Sequence, residues 1–325
     1  MTHRSSSRDT ILPKENSFLS AFKHDFGDDS YYRSHDNNNG GRGRAKNYTT
    51  RAQLLELDQR ILTEKDREIL HALHRCRYLT SGQIRRLFFT DNKTQHAATR
   101  ATNCALAQLQ EYGLITSLGR RIGGKRSGSG ALVRLLTENG NQLLHITSEG
   151  KALRRRFFEP AVAFLRHTIL VAEGYIQVVE ICRQHGLEHI KTDIESACWR
   201  SYTDEYGKAA YLKPDLFSVV VNGDYEDHWF IEIDCGTESY PALLEKCRRY
   251  AHYYKSGLEQ KAAGVFPYVV WVVPNISRKE GLLRNIAERK NLLPKDIFLV
   301  ITPEEFEVLI PKGADALTQK EGEDT

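Results

Sequence analysis

Four acidic residues in the second half of the sequence have the types and spacing of a metal-assisted phosphate site. Asp215 lies with Pro214 in a β-like run, and Glu232 and Asp234 end the next such run. Glu195 lies upstream. Alternation along a strand puts Glu232 and Asp234 on one face, which Asp215 on a neighbouring strand could join. Clustered carboxylates are the oxygen ligands that Mg²⁺ and Mn²⁺ prefer, and such an ion can activate water and stabilise charge on a scissile phosphate.

Basic residues that follow these acids offer them a simpler, structural role. A carboxylate at the end of a strand can pair with a basic side chain of the next helix, and short acidic motifs recur by chance. The candidate partners are Lys246, Arg248 and Arg249. In this interpretation the acids are structural charges and bind no ion.

A histidine and three tyrosines have structural interpretations as well. His167 lies on a long apolar segment and is more typical of a packed or interface histidine than of a metal ligand. Tyr250, Tyr253 and Tyr254 are predicted to pack within a helix, although one hydroxyl could face the acids. A tyrosine that attacks DNA is a further alternative, which the lack of accompanying metal-binding histidines disfavours.

The elements that must position these residues alternate between strands and helices. A short helical piece begins at Thr137, and a long helix is predicted over residues 161–185. The later predictions are strands over 211–221, 229–234, 268–273 and 297–301, and helices over 241–254 and 281–290. This alternation predicts an α/β fold, α+β over the whole chain, with a mixed central sheet.

The first half of the chain has a different pattern, in which three helices precede a hairpin. A capping threonine and acids near Thr63 start the first helix, and Gly113 ends the third. The predicted helices cover residues 63–77, 80–88 and 95–112, and strands over 114–118 and 131–136 flank a Gly-rich loop. Three helices followed by such a hairpin indicate an N-terminal winged helix.

This half also carries a local excess of positive charge. Residues 61–130 contain twelve basic and five acidic residues, whereas the whole chain has a net charge of only +4. A basic surface attracts a polyanion, and a helix in the major groove reads base edges while cations hold phosphates. The predicted contacts are Lys93, Thr94, Gln95, Thr99, Arg100, Thr102 and Asn103 of the third helix, and Arg120, Arg121, Lys125 and Arg126 of the hairpin tip, or wing. The alternative is a helical bundle with solvated charges that serves dimerisation.

Length and composition predict two domains with tails. The predicted division is a disordered tail over 1–58, the winged helix over 59–150, a helical linker with the α/β domain over 151–312, and a disordered tail over 313–325. The six cysteines are scattered without a C-x-x-C pair, so we expect reduced core thiols. Because no run of about 18 apolar residues indicates a membrane span, we expect a cytoplasmic protein without membrane contact.

The acidic motifs resemble a degenerate PD-(D/E)xK nuclease signature. In that signature an upstream acid, an Asp and a Glu bind the metal, which implies Glu195, Asp215 and Glu232 as metal ligands here, and a Lys assists the attacking water. Residues 230–238 and 246–250, together with the winged helix, resemble the replication-relaxation family of bacterial plasmids and integrative elements. That resemblance covers roughly residues 60–310 and implies a role in plasmid replication or DNA relaxation.

One position departs from the nuclease signature. Asp234 takes the place of the Lys, and a carboxylate cannot replace an ammonium beside a phosphate. The departure predicts an inactive site unless Lys213 or Lys246 supplies the amine. If the domain is active, the catalytic residues are Asp215, Glu232 and Asp234 with one of these lysines, and the cofactor is Mg²⁺ or Mn²⁺.

The two halves together predict a DNA-binding protein of a bacterial mobile element that acts in replication or DNA relaxation. In one alternative the nuclease-like domain is an active metal-dependent endonuclease or nickase. In the other, the protein is a non-catalytic transcription regulator or relaxosome adaptor whose second domain binds a protein. The expected partners are double-stranded DNA, other replication or relaxosome proteins, and a second copy of the chain in a homodimer.

Overall fold

A computed structural model describes residues 50–122, 131–148, 160–204 and 207–318, with the backbone only at 120–122 and 131. Its helices and strands confirm the predicted α/β class with both kinds of element in each half of the chain. The predictions on residues 1–49 and 319–325 lie outside the described residues.

The first half combines helices with a small antiparallel sheet. The helices are α1 (Arg51–Arg60), α2 (Glu64–Cys76), α3 (Ser81–Phe88), α4 (Gln95–Glu111) and α5 (Glu138–Thr147), and the strands are β1 (Leu79–Thr80), β2 (Ile115–Ile122) and β3 (Ala131–Leu136). Strand β3 lies between β1 and β2 and is antiparallel to both. Three helices and a hairpin therefore follow one another where capping residues and apolar spacing predicted them.

Capping side chains explain where these helices begin. Thr63 and Asp66 form a capping box at the start of α2, and Thr80 and Gln83 form one at the start of α3. Thr94 caps α4 with its side-chain oxygen. Each cap satisfies backbone N–H groups that the first helical turn leaves without an intrahelical partner.

The predicted N-terminal tail over 1–58 is wrong in its last part. Residues from Arg51 onwards form α1, which Thr50 and Gln53 begin with another capping box. Leu54 and Leu57 are buried in the core. A capping box followed by two leucines three residues apart indicates a helix here. The prediction of a tail followed instead from the polar composition of the surrounding residues. At the other end, Asp315–Thr318 forms a short helix inside the predicted C-terminal tail.

The second half is built around a five-stranded sheet. Its helices are α6 (Val162–His185), α7 (Tyr240–Ser256), α8 (Leu258–Ala263), α9 (Ile276–Glu288), α10 (Phe306–Lys312) and α11 (Asp315–Thr318). Its strands are β4 (Glu188–Ile194), β5 (Arg200–Thr203), β6 (Ala209–Leu212), β7 (Leu216–Asn222), β8 (Tyr225–Ile233), β9 (Tyr268–Val272) and β10 (Phe298–Ile301). Two short 3₁₀ turns cover Glu195–Cys198 and Pro303–Glu305.

The sheet is mixed, as predicted, and lies between two layers of helices. Its strand order is β10-β9-β8-β7-β4, with β8, β9 and β10 parallel and β7 antiparallel to both of its neighbours. Leu216 and Ile231 face the layer of α6 and α10, whereas Phe217 and Phe230 face the layer of α7 and α9. The carboxyl ends of the parallel strands thus lie between both layers.

The strand predicted over 211–221 is wrong near its start, where residues 213–215 interrupt it. Pro214 cannot donate a ladder hydrogen bond, so β6 ends at Leu212 and β7 begins at Leu216. Asp215 therefore lies in a bend before β7 and not within a strand. The structure also contains β4 and β5, which were not predicted; in β4 only alternate side chains toward its end are buried, because it forms an edge of the sheet.

Helix α6 joins the two halves of the molecule. One continuous cluster of buried residues extends from Leu54 through α6 to Ile310, so the predicted boundary at residue 150 is not a break in the apolar core. By length and composition α6 could cross a membrane, contrary to the expectation from the sequence, but 67% of its apolar window is buried inside the fold. Core helices of soluble proteins have the same composition.

Polar contacts fasten α3 to α6. Arg86 forms ion pairs with Glu173 and Glu180 of α6, and its Nε lies 2.9 Å from Glu180 Oε1. Gln83 donates to Glu173 Oε2 at 3.0 Å and to the carbonyl of Ile169 at 3.1 Å. Since Glu173 is buried, these donors compensate the loss of water around its carboxylate.

Candidate functional site

Asp215 lies at the junction between β6 and β7, and both of its carboxylate oxygens have partners. Oδ2 accepts a hydrogen bond from the backbone N–H of Ile233 at 2.8 Å. Oδ1 lies 3.0 Å from Nε2 of His167 on α6. The carboxylate therefore connects the end of β8 to the helical layer on one side of the sheet.

Glu232 lies in β8 and is only 3% exposed. Tyr250 of α7 donates a hydrogen bond to Oε1 at 2.6 Å, and Nζ of Lys246 lies 3.8 Å from Oε2. Burial, followed by the negative charge of Asp215, raises the pKa of Glu232 to about 8, and Lys246 and Tyr250 counteract this only in part. The carboxyl group consequently keeps its proton at neutral pH.

His167 connects Asp215 to Cys235. Its Nδ1 lies 3.7 Å from Sγ of Cys235. Burial lowers the pKa of His167, but the charge of Asp215 and the hydrogen bond to it outweigh burial and raise that pKa to about 11. At neutral pH the imidazole is therefore positively charged and pairs with the Asp215 carboxylate.

Asp234, at the position of the lysine in the nuclease signature, is held by a cation from another element. It follows the last residue of β8, and Nε of Arg278 on α9 lies 2.6 Å from its Oδ2. Its Oδ1 accepts from the backbone N–H of Gly236 at 2.8 Å. The prediction that Glu232 and Asp234 share a face is consistent with their partners, since α7 and α9 lie in the same layer.

Lys246 is the predicted lysine that the structure brings to the acids. Besides its approach to Glu232, its Nζ donates to Oε1 of Glu238 at 3.0 Å. Burial lowers the pKa of Lys246, but the charges of Glu232 and Asp215 outweigh it, so that the pKa is raised. Arg248 and Arg249, the other suggested partners, contact Glu245 instead.

Glu195 and Lys213 have partners outside this cluster. Glu195 forms an ion pair with Arg77 at 2.6 Å. Both residues have positive φ, 63° for Arg77 and 48° for Glu195, a conformation that is uncommon outside glycine. Nζ of Lys213 lies 4.4 Å from the ring centroid of Trp199. The structure thus unites Asp215, Glu232 and Lys246. The side chains of Glu195 and Lys213 have other partners, although the backbone N–H of Glu195 donates to the carbonyl of Asp215 at 3.1 Å.

As they are placed, the predicted metal ligands do not fit a divalent ion. Each already accepts hydrogen bonds from, or pairs with, donors of the chain itself. In the part of the chain that the structure describes, no group of three or more His, Cys, Asp or Glu side chains is arranged to hold a metal. An ion would have to displace these donors and the proton of Glu232. The catalytic roles of these residues stay predictions.

The predicted reading face of α4 is open to solvent. Six of its seven predicted contact residues are exposed: Lys93, Thr94, Gln95, Thr99, Arg100 and Asn103. Thr102 is the exception, because it is buried and donates to the carbonyl of Ala98 at 2.8 Å. A surface depression of about 380 Å³ runs along this face and is lined by His96, Thr99, Arg100, Asn103, Cys104 and Ala107.

The wing is described only in part. The backbone of Arg120 and Arg121 belongs to β2, but their side chains, and Lys125 and Arg126 entirely, lie outside the described residues. The expected contacts of these four residues with DNA stay predictions.

Sequence reasoning missed several members of the acidic cluster. His167 was interpreted as a packing residue, whereas it pairs with Asp215. Arg278, which the sequence did not indicate, contacts Asp234, 44 residues away in the chain. The alternative that one tyrosine hydroxyl faces the acids holds for Tyr250, which contacts Glu232. Local spacing in the sequence holds no signal for such long-range partners.

The expectation of core thiols holds for four cysteines, but Cys104 is exposed and Cys235 is partly exposed.

Comparison with known proteins identifies one family. Residues 70–269 match the sequence profile of the family described as Replication-relaxation, and this range is more than half of the chain. It includes α3, α4, the small sheet, α6 and the residues Asp215, Glu232 and Lys246. No match was found among curated proteins or solved structures.

Proposed function

Because the chain belongs to the replication-relaxation family, which gives it a role in the replication or relaxation of a plasmid or mobile element, we propose that it binds duplex DNA. In this proposal α2, α3, α4 and the β2–β3 hairpin form a winged helix. Helix α4 enters the major groove and the wing contacts the DNA backbone.

The order of elements supports the winged helix. A helix, a short strand, two helices and a hairpin follow one another, and the short strand β1 pairs with β3 of the hairpin. The apolar side of α4, with Ala98, Leu106 and Leu109, packs into the core and leaves its polar side outward. A helix mounted in this way can enter a groove without unfolding its support.

The distribution of charge is the observation that carries the proposal. Among the cations of residues 61–122, Arg67, Arg77 and Arg86 are ion-paired with acids. Lys93 and Arg100, beside and on α4, are exposed and have no acidic partner among the described residues. Positive charge that is free for a polyanion is therefore present at α4, where the polar side chains that can read bases also lie.

Binding of labelled duplex DNA at several salt concentrations tests this proposal. We expect Lys93→Ala with Arg100→Ala to weaken binding and to lower the salt slope by about 1 for each phosphate that the variant no longer neutralises. The matched control is Arg284→Ala with Lys290→Ala, which removes two exposed cations at α9 and just beyond its end. Equal reductions in affinity in both double variants would contradict a specific role of α4.

The wing is tested separately. We expect the joint replacement of Arg120, Arg121, Lys125 and Arg126 by Ala to lower both the affinity for duplex DNA and its salt slope, because these four cations contact phosphates in the proposal. An unchanged affinity and slope would remove the wing from the DNA interface while leaving α4 in place.

A metal-dependent nickase is a second candidate, favoured by the approach of Lys246 to Glu232. A metal ion would have to displace the donors that now hold these carboxylates. Nicking by this mechanism is therefore expected only when Mg²⁺ or Mn²⁺ is added. Conversion of supercoiled plasmid to nicked circles measures it, with Asp215→Asn and Glu232→Gln as variants. If the wild type cuts no DNA, or if both variants cut as well as the wild type, these acids are not catalytic, and an adaptor role for the second domain is favoured.

A further inference from the structure

Two exposed aromatic rings and a lysine lie together on the β5–β6 hairpin. Arg200 pairs with Leu212 in this hairpin, which brings the flanking residues Trp199 and Lys213 side by side. Tyr211 lies two residues before Lys213, hence on the same side of the strand. Nζ of Lys213 lies 4.4 Å from the ring centroid of Trp199 and 6.0 Å from that of Tyr211.

An exposed tryptophan is unusual in this molecule. Trp199 is 42% exposed and Tyr211 is 57% exposed, whereas the other two tryptophans, Trp229 and Trp271, are buried at 0% and 1%. Single exposed apolar residues need no explanation, but two aromatic rings grouped around a cation form a polarised patch. We call Trp199, Tyr211 and Lys213 the aromatic platform.

The platform is rigidly connected to the acidic cluster. Cys198 donates from its thiol to the carbonyl of Pro214 at 3.0 Å and to that of Glu195 at 2.8 Å. These contacts fix the segments that precede Trp199 and follow Lys213. Asp215 lies two residues beyond Lys213. The platform is therefore anchored next to the segment that carries Asp215.

We propose that the aromatic platform binds an unpaired nucleotide of single-stranded DNA. Aromatic rings stack with every base because each base has a π face, and a neighbouring cation attracts the phosphate. The aromatic platform carries a positive charge from Lys213. The outward residues Ser201 and Thr203 of the partner strand are uncharged. This site differs from the duplex-binding face of α4 and does not rest on it; it gives the second half of the molecule its own DNA contact.

Intrinsic fluorescence gives a direct test on the unmodified full chain. Since Trp229 and Trp271 are buried, a ligand that stacks on the surface can quench chiefly Trp199. We expect a short oligothymidylate to quench the tryptophan fluorescence until its binding site is saturated. We also expect bound oligothymidylate to reduce the quenching of Trp199 by acrylamide. An oligothymidylate that leaves the fluorescence unchanged would overturn the proposal and would favour a protein partner for these rings.

Variants distinguish stacking from other effects on binding. We expect Trp199→Ala to weaken the binding of single-stranded DNA by about tenfold or more, and Trp199→Phe to retain most of it. Tyr225→Ala is the control, because it removes a ring that is 78% exposed at the opposite end of β7 and β8. Affinity for duplex DNA should not change in any of them. If Trp199→Ala and Tyr225→Ala bind oligothymidylate equally, the platform is not a nucleotide site.

Discussion

The acidic cluster around Glu232 and the outer face of α4 differ in whether their charged side chains have partners of opposite charge. In the cluster, His167 and Arg278 pair with Asp215 and Asp234, Lys246 approaches Glu232, and Glu232 and Asp234 are buried. On α4 the polar and cationic side chains point into solvent and have no acidic partner in the described parts of the chain. Charges paired inside a protein contribute to its structure, whereas unpaired surface charges are free to bind another molecule.

The largest effect on stability is expected at Arg278. Its replacement by Ala leaves Asp234, whose side chain is 0% exposed, as a buried charge without its cation. Breaking a buried ion pair in this way costs about 3–5 kcal/mol in the free energy of unfolding. Urea denaturation of the variant measures this reduction. Arg284→Ala, an exposed change in the same helix, should stay within about 0.5 kcal/mol of the wild type; similar reductions in both would show that the Asp234 pair is not special.

A smaller destabilisation is expected at Tyr250. The change to Phe removes the hydroxyl that donates to buried Glu232, which leaves an acceptor unsatisfied at a cost of about 1–3 kcal/mol. Tyr254→Phe in the same helix is the control, because the hydroxyl of Tyr254 has no hydrogen-bond partner among the described residues. Thermal unfolding compares the two variants, and equal midpoints would mean that the Tyr250 hydroxyl is dispensable.

The pH dependence of stability should reveal the proton on Glu232. Its ordinary pKa is 4.5, and in the folded protein it is raised to about 8. Between these values the folded state holds a proton that the unfolded state lacks, so the free energy of unfolding falls as pH rises, by at most about 1.4 kcal/mol per pH unit. We expect Glu232→Gln to flatten this decline.

His167 adds a decline of the same sign at higher pH. Its pKa is raised from 6.5 to about 11, so the stability that it contributes is complete below 6.5 and disappears toward 11. Denaturation of wild type and Glu232→Gln at matched pH values isolates the contribution of Glu232 below 6.5. A slope that is identical in both proteins there would contradict a retained proton on Glu232.

The smallest effect on stability is expected on α4. Lys93→Ala with Arg100→Ala should change the free energy of unfolding by no more than about 0.5 kcal/mol, since these exposed side chains pair with no acid among the described residues. The same double variant should bind duplex DNA more weakly. If it were instead destabilised as much as Arg278→Ala, the contrast between the two regions would disappear.

Helix caps and apolar runs in the sequence predicted much of the fold, but they predicted few of the ion pairs. The capping threonine at position 63 predicted where α2 begins, and the helices predicted over 80–88 and 95–112 agree with α3 and α4. The runs of apolar residues predicted β8 and β9 to within a few residues. Helix α1 was missed, and the strand over 211–221 was drawn through Pro214, because composition and apolar runs were weighted above single residues.

By itself, the sequence determined the main helices and strands of both halves, the exposed polar face of α4 and the nearness of Asp215 to Glu232, because these depend on helical or strand periodicity and on neighbouring strands. Only the tertiary structure decided that Glu195 pairs with Arg77, that His167 pairs with Asp215, and that Arg278 neutralises Asp234. Such contacts join residues that are far apart in the chain. They depend on how layers pack, which no local spacing encodes.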